Sequence, residues 1–227
     1  MSLGAGSDPA SPLGKQGPQL WLLPLHGGDL ASLSARELGW AEQLSPRQGC
    51  RYRLSRAALR QVLAGVLRCD PAVVPLHSPP GKPPRLAAGL GWVSLSHSGD
   101  GLLIGYSRKP IGVDLETLRR PFDARGLMRR FFPITEQSQL ERLEGEGLRE
   151  AVLTSWVLKE AAIKWRQRTL AAELSLWCYD HLSGRLQHRV DGVQPESYSA
   201  VLGCWRWAAV GDGSQWAVLK RCPDRAN

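Results

Sequence analysis

Ile111-Gly112-Val113-Asp114-Leu115-Glu116 is a short apolar run that carries two carboxylates. Its alternation predicts a β-strand in which Asp114 and Glu116 point from one face. A second stretch, residues 155–164, reads SWVLKEAAIK. Its spacing predicts a helix, with Glu160 and Lys164 at i and i+4 on one face. Trp156, Leu158, Ala161 and Ile163 are expected to pack its other faces. Charges on a helix buried to that extent need partners. If the fold brings strand and helix together, the carboxylates of Asp114, Glu116 and Glu160 converge with Lys159 and Lys164. Oxygen ligands suit a hard cation such as Mg²⁺, and the lysines suit the phosphates it would hold. Gly112 fits such a site, because a glycine in a strand lets a ligand or a backbone approach closely.

Upstream, residues 19–25 (QLWLLPL) read as a first strand. Ser45-Pro46 reads as a helix start, with Ser45 at the N-cap and Pro46 in the first turn. That helix is expected to reach about Arg68, with Leu54, Ala58, Val62 and Gly65 on its buried face. Arg53, Arg56 and Arg60 fall on one stripe of it, either a solvated face or a phosphate clamp. The Pro-rich residues 71–84 read as a loop that carries Gly81-Lys82-Pro83. Residues 91–96 and 101–107 read as strands on either side of a Ser96-His97-Ser98-Gly99 turn. Hydroxyls, backbone N–H groups and an imidazolium together suit an anion.

Downstream, residues 122–132 have helical spacing, ended by Pro133. Thr135 reads as the N-cap of another helix with Ser138 at N3, and the helix that holds residues 155–164 is expected to begin near Leu148. Strands are expected at 198–202, 205–210 and 215–219. The chain falls into two halves of similar make-up that meet near residue 108. Each pairs helices with a mostly antiparallel sheet, which is an α+β fold. The expected divisions are a disordered lead at 1–18, halves at 19–108 and 109–222, and a tail at 223–227.

The 227 residues are 43% hydrophobic, an ordinary globular composition. No apolar run approaches the roughly 20 residues that span a bilayer. The first residues lack the basic start and apolar core of a secretory signal, so a cytoplasmic protein is expected. Five cysteines, an odd number with no CxxC pair, read as free thiols. The net charge of +8 predicts an acidic partner: nucleic acid, an anionic membrane, a phosphorylated cofactor or an acidic protein. No block of five like charges marks a nucleic-acid tail. GxGxxG, GxxxxGK[ST], HExxH and GxSxG are absent, which weakens the dinucleotide, P-loop, zincin and hydrolase readings.

Taken together these motifs resemble the 4′-phosphopantetheinyl transferase superfamily, in particular its surfactin-synthetase-type branch. That family is marked by a (I/V)-G-(I/V/L)-D-(I/V/L)-E strand and a W-(S/T/C)-x-K-E-(A/S)-x-x-K helix. They stand here as Ile111–Glu116 and Trp156–Lys164. The Gly81-Lys82-Pro83 loop, the Ser96–Gly99 turn, the arginines from Arg51 to Arg60 and Arg130-Phe131-Phe132 also fit, in order, over about residues 20–220.

The resemblance implies two pseudo-symmetric halves with the active site in the cleft between them. It also implies Mg²⁺-dependent transfer of the 4′-phosphopantetheine arm of coenzyme A to a serine of an apo acyl or peptidyl carrier protein. Asp114, Glu116 and Glu160 would hold Mg²⁺, and Glu160 would be the general base. Lys164, Lys82, Ser96 and His97 would contact CoA, Lys159 would sit by the pyrophosphate, and Arg51 and Arg56 would hold the 3′-phosphate. The implied protein is a monomer that binds an acidic carrier, neither nucleic acid nor membrane. Residues 119–130 and 166–168 are candidates for the carrier surface.

Two departures stand out. Val157 replaces the usual hydroxyl or thiol after the tryptophan, and residues 165–170 (WRQRTL) replace a glycine-rich G-x-G-L turn near the expected carrier site. Other readings stay open: a different Mg²⁺-dependent phosphodiesterase or nuclease, or a non-catalytic basic module that binds nucleic acid.

Overall fold

The computed structural model of the chain describes residues 17–26, 29–212 and 220–221. In chain order these form β1 (Gln19–Pro24), α1 (Ala35–Glu42), α2 (Pro46–Leu67), β2 (Leu76–His77), β3 (Arg85–Leu86), β4 (Trp92–Ser98), β5 (Gly101–Ser107) and β6 (Ile111–Thr117). Then come α3 (Ala124–Phe131), α4 (Ile134–Leu140), α5 (Gly145–Trp165), α6 (Leu170–Glu173), β7 (Trp177–Asp180), β8 (Arg185–His188), β9 (Glu196–Leu202), β10 (Trp205–Gly211) and β11 (Lys220–Arg221). The fold is α+β. One sheet runs β11-β1-β5-β4 and a second runs β6-β10-β9, with small ladders β2–β3 and β7–β8. The pairings are antiparallel except β1 with β11, through which the chain returns to the first sheet.

The period of two along the strands sorts the chain into layers. On β5, Leu102, Ile104 and Tyr106 pack with Leu59, Leu63 and Ala64 of α2. Leu103, on the other face, joins Leu20 and Leu22 of β1 against Ile111, Val113 and Leu115 of β6 and Trp207 and Ala209 of β10. Beyond the second sheet, Ala208 and Val210 pack on Val157, Leu158, Ala161 and Ala162 of α5. The layers are therefore helix, sheet, sheet, helix. Burying one such aliphatic side chain stabilises the fold by about 1.5–3 kcal/mol. β6 turns Ile111, Val113 and Leu115 toward the first sheet, which leaves Gly112, Asp114 and Glu116 for α5.

Helix α2 begins at Pro46 as expected, but the Ser45 hydroxyl donates to Gln48 Oε1 at 2.9 Å instead of capping an amide. Its buried face differs from the expected one. Tyr52, Ser55, Arg56, Leu59 and Leu63 are buried, whereas Leu54, Ala58 and Val62 are half-buried and Gly65 is exposed. The polar residues on that face have internal partners. Arg60 Nε donates to Glu37 Oε2 at 2.8 Å, and its Nη1 donates to the carbonyls of Pro71 and Val74. Tyr52 Oη donates to Ser78 O at 2.8 Å. Arg60 is thus a structural counter-ion and not part of a phosphate clamp.

Other boundaries shift as well. Thr135 lies inside α4, whose N-cap is Pro133. Helix α5 begins at Gly145, three residues before Leu148. Ser96, His97 and Ser98 end β4, and the turn itself is Gly99-Asp100. The β7–β8 hairpin adds two strands not anticipated from the sequence. Cys50, Cys69, Cys178 and Cys204 are free thiols. The strand expected at 215–219, residues 1–16 of the lead, the tail and Cys222 lie outside the described residues. Among the described residues no helix is long and apolar enough to cross a membrane.

Candidate active site

The site begins with a glycine. A Cβ at Gly112 would lie 1.9 Å from Ala161 O and 2.4 Å from Trp165 N, so no larger residue lets β6 lie this close to α5. That approach sets Glu160 beside Asp114 and Glu116. One carboxylate oxygen from each of the three lies within 4.8 Å of the others.

The edge strand of the first sheet, β4, supports this cluster from the side. Its alternate serines reach across to β6. Ser94 Oγ accepts from Val113 N at 3.1 Å, and Ser98 Oγ accepts from Thr117 N at 3.1 Å. Ser96 Oγ donates to Asp114 Oδ1 at 2.7 Å, and Ser98 Oγ donates to Glu116 Oε2 at 2.8 Å. Arg120, one turn of chain further on, binds the other oxygen of Glu116.

Lys164 Nζ donates to Asp114 Oδ1 at 2.6 Å and lies 3.8 Å from Glu160 Oε2. Burial pushes the Glu160 carboxyl up to about 8, and the charges of Asp114 and Glu116 add to this against the opposing pull of Lys164 and Arg120. Burial also raises Glu116, while its hydrogen bond from Ser98 opposes the shift. Lys164 is raised, because the three carboxylates together outweigh its desolvation.

The donor set suits a hard divalent cation. All its ligands are carboxylate oxygens, and Asp114 Oδ2 is buried with no hydrogen-bond partner among the described residues. A buried carboxylate oxygen without a donor is costly unless something positive satisfies it.

A model of the 4′-phosphopantetheinyl transferase superfamily matches residues 110–201, which include β6 and α5. A protein of Synechocystis sp. named as a 4′-phosphopantetheinyl transferase is 33% identical over 183 residues, 77% of this chain and 74% of that one. This chain belongs to the 4′-phosphopantetheinyl transferase superfamily. It is also similar to the 4′-phosphopantetheinyl transferase HetI of Nostoc sp., at 34% identity over 158 residues, 64% of this chain and 66% of HetI. AcpT of Salmonella typhimurium, another 4′-phosphopantetheinyl transferase, is 33% identical over 140 residues, 61% of this chain and 71% of AcpT.

Against the motifs of the superfamily, Asp114, Glu116, Glu160 and Lys164 come together as expected. Arg56 and Lys82 line a cavity of about 570 Å³ that also touches Glu160 and Lys164. Arg56 Nε donates to Ser78 O at 3.2 Å and its guanidinium stacks on Tyr52. Arg51 Nη2 donates to Gly99 O at 2.9 Å, at the end of β4. His97 keeps part of its surface open to solvent on β4, and its expected positive charge is disfavoured. Partial burial, and then the cations Arg51, Lys164 and Arg56, hold its imidazole below the usual range.

The Ser96 hydroxyl donates to Asp114 and orients its carboxylate. The expected place of Lys159 by the pyrophosphate is corrected. Lys159 is wholly buried, its Nζ 2.7 Å from Glu136 Oε2 and 3.6 Å from the centre of the Phe132 ring. It points away from the cluster because residue 159 lies about 100° around the helix from residue 160. Ser98, read from the sequence as part of an anion-binding turn, and Arg120, read as part of a carrier surface, both bind Glu116 instead. The alternation Ser94, Ser96, Ser98 along one strand face was the available signal for the first of them.

Proposed function

We propose that this transferase moves the 4′-phosphopantetheine arm of coenzyme A to a serine of an apo acyl or peptidyl carrier protein in a Mg²⁺-dependent reaction. The observation that carries this reading is the oxygen-only cluster of Asp114, Glu116 and Glu160 beside Lys164, with Asp114 Oδ2 unpartnered among the described residues. The two halves, 19–108 and 109–222, form the walls of the cleft in this reading. It also takes the chain to be a cytoplasmic monomer of the surfactin-synthetase type.

Asp114, Glu116 and Glu160 would hold Mg²⁺, which when bound neutralises charge on the pyrophosphate oxygens. Lys164 and Lys82 contribute positive charge to the same oxygens, while Arg51, Arg56 and His97 receive the nucleotide phosphates. A phosphate beside His97 would oppose the burial and the neighbouring cations that lower its pKa.

Chemistry follows from an in-line displacement. The carrier serine oxygen forms a bond to the β-phosphorus, and the bond from that phosphorus to the bridging oxygen breaks. Adenosine 3′,5′-bisphosphate leaves with the bridging oxygen. The serine proton passes to Glu160, directly or through water. Ser96 and Ser98 hold Asp114 and Glu116 in place through this step.

The carrier is acidic, and exposed Arg119, Arg129, Arg130 and Arg168 supply complementary charge. Arg166 is excluded from that surface, since its guanidinium lies 2.8 Å from Asp191 and over the Trp177 ring.

The test is chromatographic detection of adenosine 3′,5′-bisphosphate formed from CoA. The expected result is formation that needs both Mg²⁺ and an apo carrier. CoA breakdown without any carrier would instead identify a phosphodiesterase.

A further inference from the structure

We propose that Gln167 binds the pantetheine arm of the donor, exchanging hydrogen bonds with its amide groups where two cavities meet. This rests on CoA as the donor. Helix α5 ends with Arg166 as its C-cap. The next residue, Gln167, has φ of 55°; among described non-glycine residues only Arg68 shares the left-handed region. Arg68 is the exposed cap of α2. At such a position glycine is usual, and another residue carries a backbone penalty. The turn is nevertheless well fixed. Gln167 N donates to Lys164 O and Arg168 N donates to Ile163 O, both at 3.0 Å. Arg166 is tied to Asp191 at 2.8 Å.

Gln167 lines both the cavity of about 570 Å³ and a neighbour of about 380 Å³. Pro84, Arg85 and Val93 also line both, so the two adjoin. The first includes Glu160 and Lys164 with Arg56 and Lys82, and has Leu95, Ile111, Ile163 and Leu170 as apolar walls. Gln167 is half-buried there, and its carboxamide makes no hydrogen bond with the described residues. The arm is a chain of hydrocarbon segments joined by two amides. A carboxamide can both donate to and accept from an amide, and the apolar walls suit the hydrocarbon.

Direction along β4 supports the arm over the nucleotide. Asp114 is held by Ser96. His97, and Arg51 on the carbonyl of Gly99, lie at one end of the strand, and Val93 lies at the other. A pyrophosphate at Asp114 whose nucleotide phosphates reach His97 and Arg51 leaves the Val93 end, with Gln167, for the arm; Arg56 and Lys82 line the same cavity and serve the phosphates there. The unusual residue in the turn then has a use that offsets its backbone penalty.

Calorimetric titration of the full chain with CoA and with adenosine 3′,5′-bisphosphate, which lacks the arm, tests this. For Gln167→Gly and Gln167→Ala we expect CoA binding to weaken about tenfold, as for one or two lost hydrogen bonds. Adenosine 3′,5′-bisphosphate should bind as it does to the wild type. The thermal midpoint of Gln167→Gly should rise as the backbone relaxes. Unchanged CoA affinity in both variants would overturn the proposal. So would equal weakening of both ligands, which would put Gln167 at the nucleotide. Failure of the wild type itself to bind CoA would overturn the donor assignment and this inference with it.

Discussion

Lys164 Nζ lies 2.6 Å from Asp114 Oδ1 and 3.8 Å from Glu160 Oε2, so one helix lysine bridges a strand carboxylate and a helix carboxylate. The lysine partly neutralises a cluster whose remaining charge a cation would balance. Lys164→Ala should leave the chain folded and lower transfer by about 10²-fold or more, the usual scale for removing one preorganised charge-stabilising group. Asp114→Ala should lower it at least as far. Steady-state rates with circular dichroism as the folding control check both variants.

Glu160 also makes stability depend on pH. Its folded value of about 8 lies above the ordinary 4.5, so its contribution is whole below about 4.5 and is lost as pH rises toward about 8. In metal-free protein, the thermal midpoint of Glu160→Gln relative to wild type should therefore climb between pH 5 and about pH 8. Mg²⁺ must displace the proton, so its affinity for the wild type should rise over the same window. Differential scanning fluorimetry with and without Mg²⁺ reads both effects. A flat difference across the window would contradict the burial assigned to Glu160.

Gly112→Ala tests the approach of strand to helix. Its Cβ would fall 1.9 Å from Ala161 O, a backbone atom that cannot swing aside. We expect a loss of about 3 kcal/mol in urea unfolding, at the upper end of overpacking effects. Whatever folds should bind Mg²⁺ poorly, because β6 and α5 are forced apart.

Lys159 and Glu136 form an ion pair with no side-chain exposure on either partner. Lys159→Ala strands a buried carboxylate and should destabilise the chain by about 3–5 kcal/mol. The pair Lys159→Met with Glu136→Leu should recover most of that stability. Transfer per folded molecule should stay near wild type in the double variant. A collapse of its rate with stability restored would return Lys159 to the active site.

Much of the site was legible because it rests on short-range periodicity. The i, i+2 carboxylates of β6 and the i, i+4 pair of α5 fix their own faces, and Gly112 marks where they touch. Lys159 was misplaced because its partner Glu136 is far off in sequence, and nothing local separates a buried lysine from Lys164. The inner face of α2 was misread for a similar reason. Apolar residues alone were taken to mark it, yet Arg56 and Arg60 are buried there against carbonyls and Glu37. Helix α1 carried a readable signal in Ser34 and Glu37, which form a capping box. The β7–β8 hairpin has few β-branched residues, and its burial depends on packing of Trp177 and Leu186 beneath α5.

The most direct test of the central claim is intact-mass spectrometry of an apo acyl carrier protein incubated with this protein, CoA and Mg²⁺. The account predicts a gain of one phosphopantetheine arm that EDTA abolishes and that Asp114→Ala cannot produce. A gain of the same size by Asp114→Ala, or with the metal chelated, would contradict it.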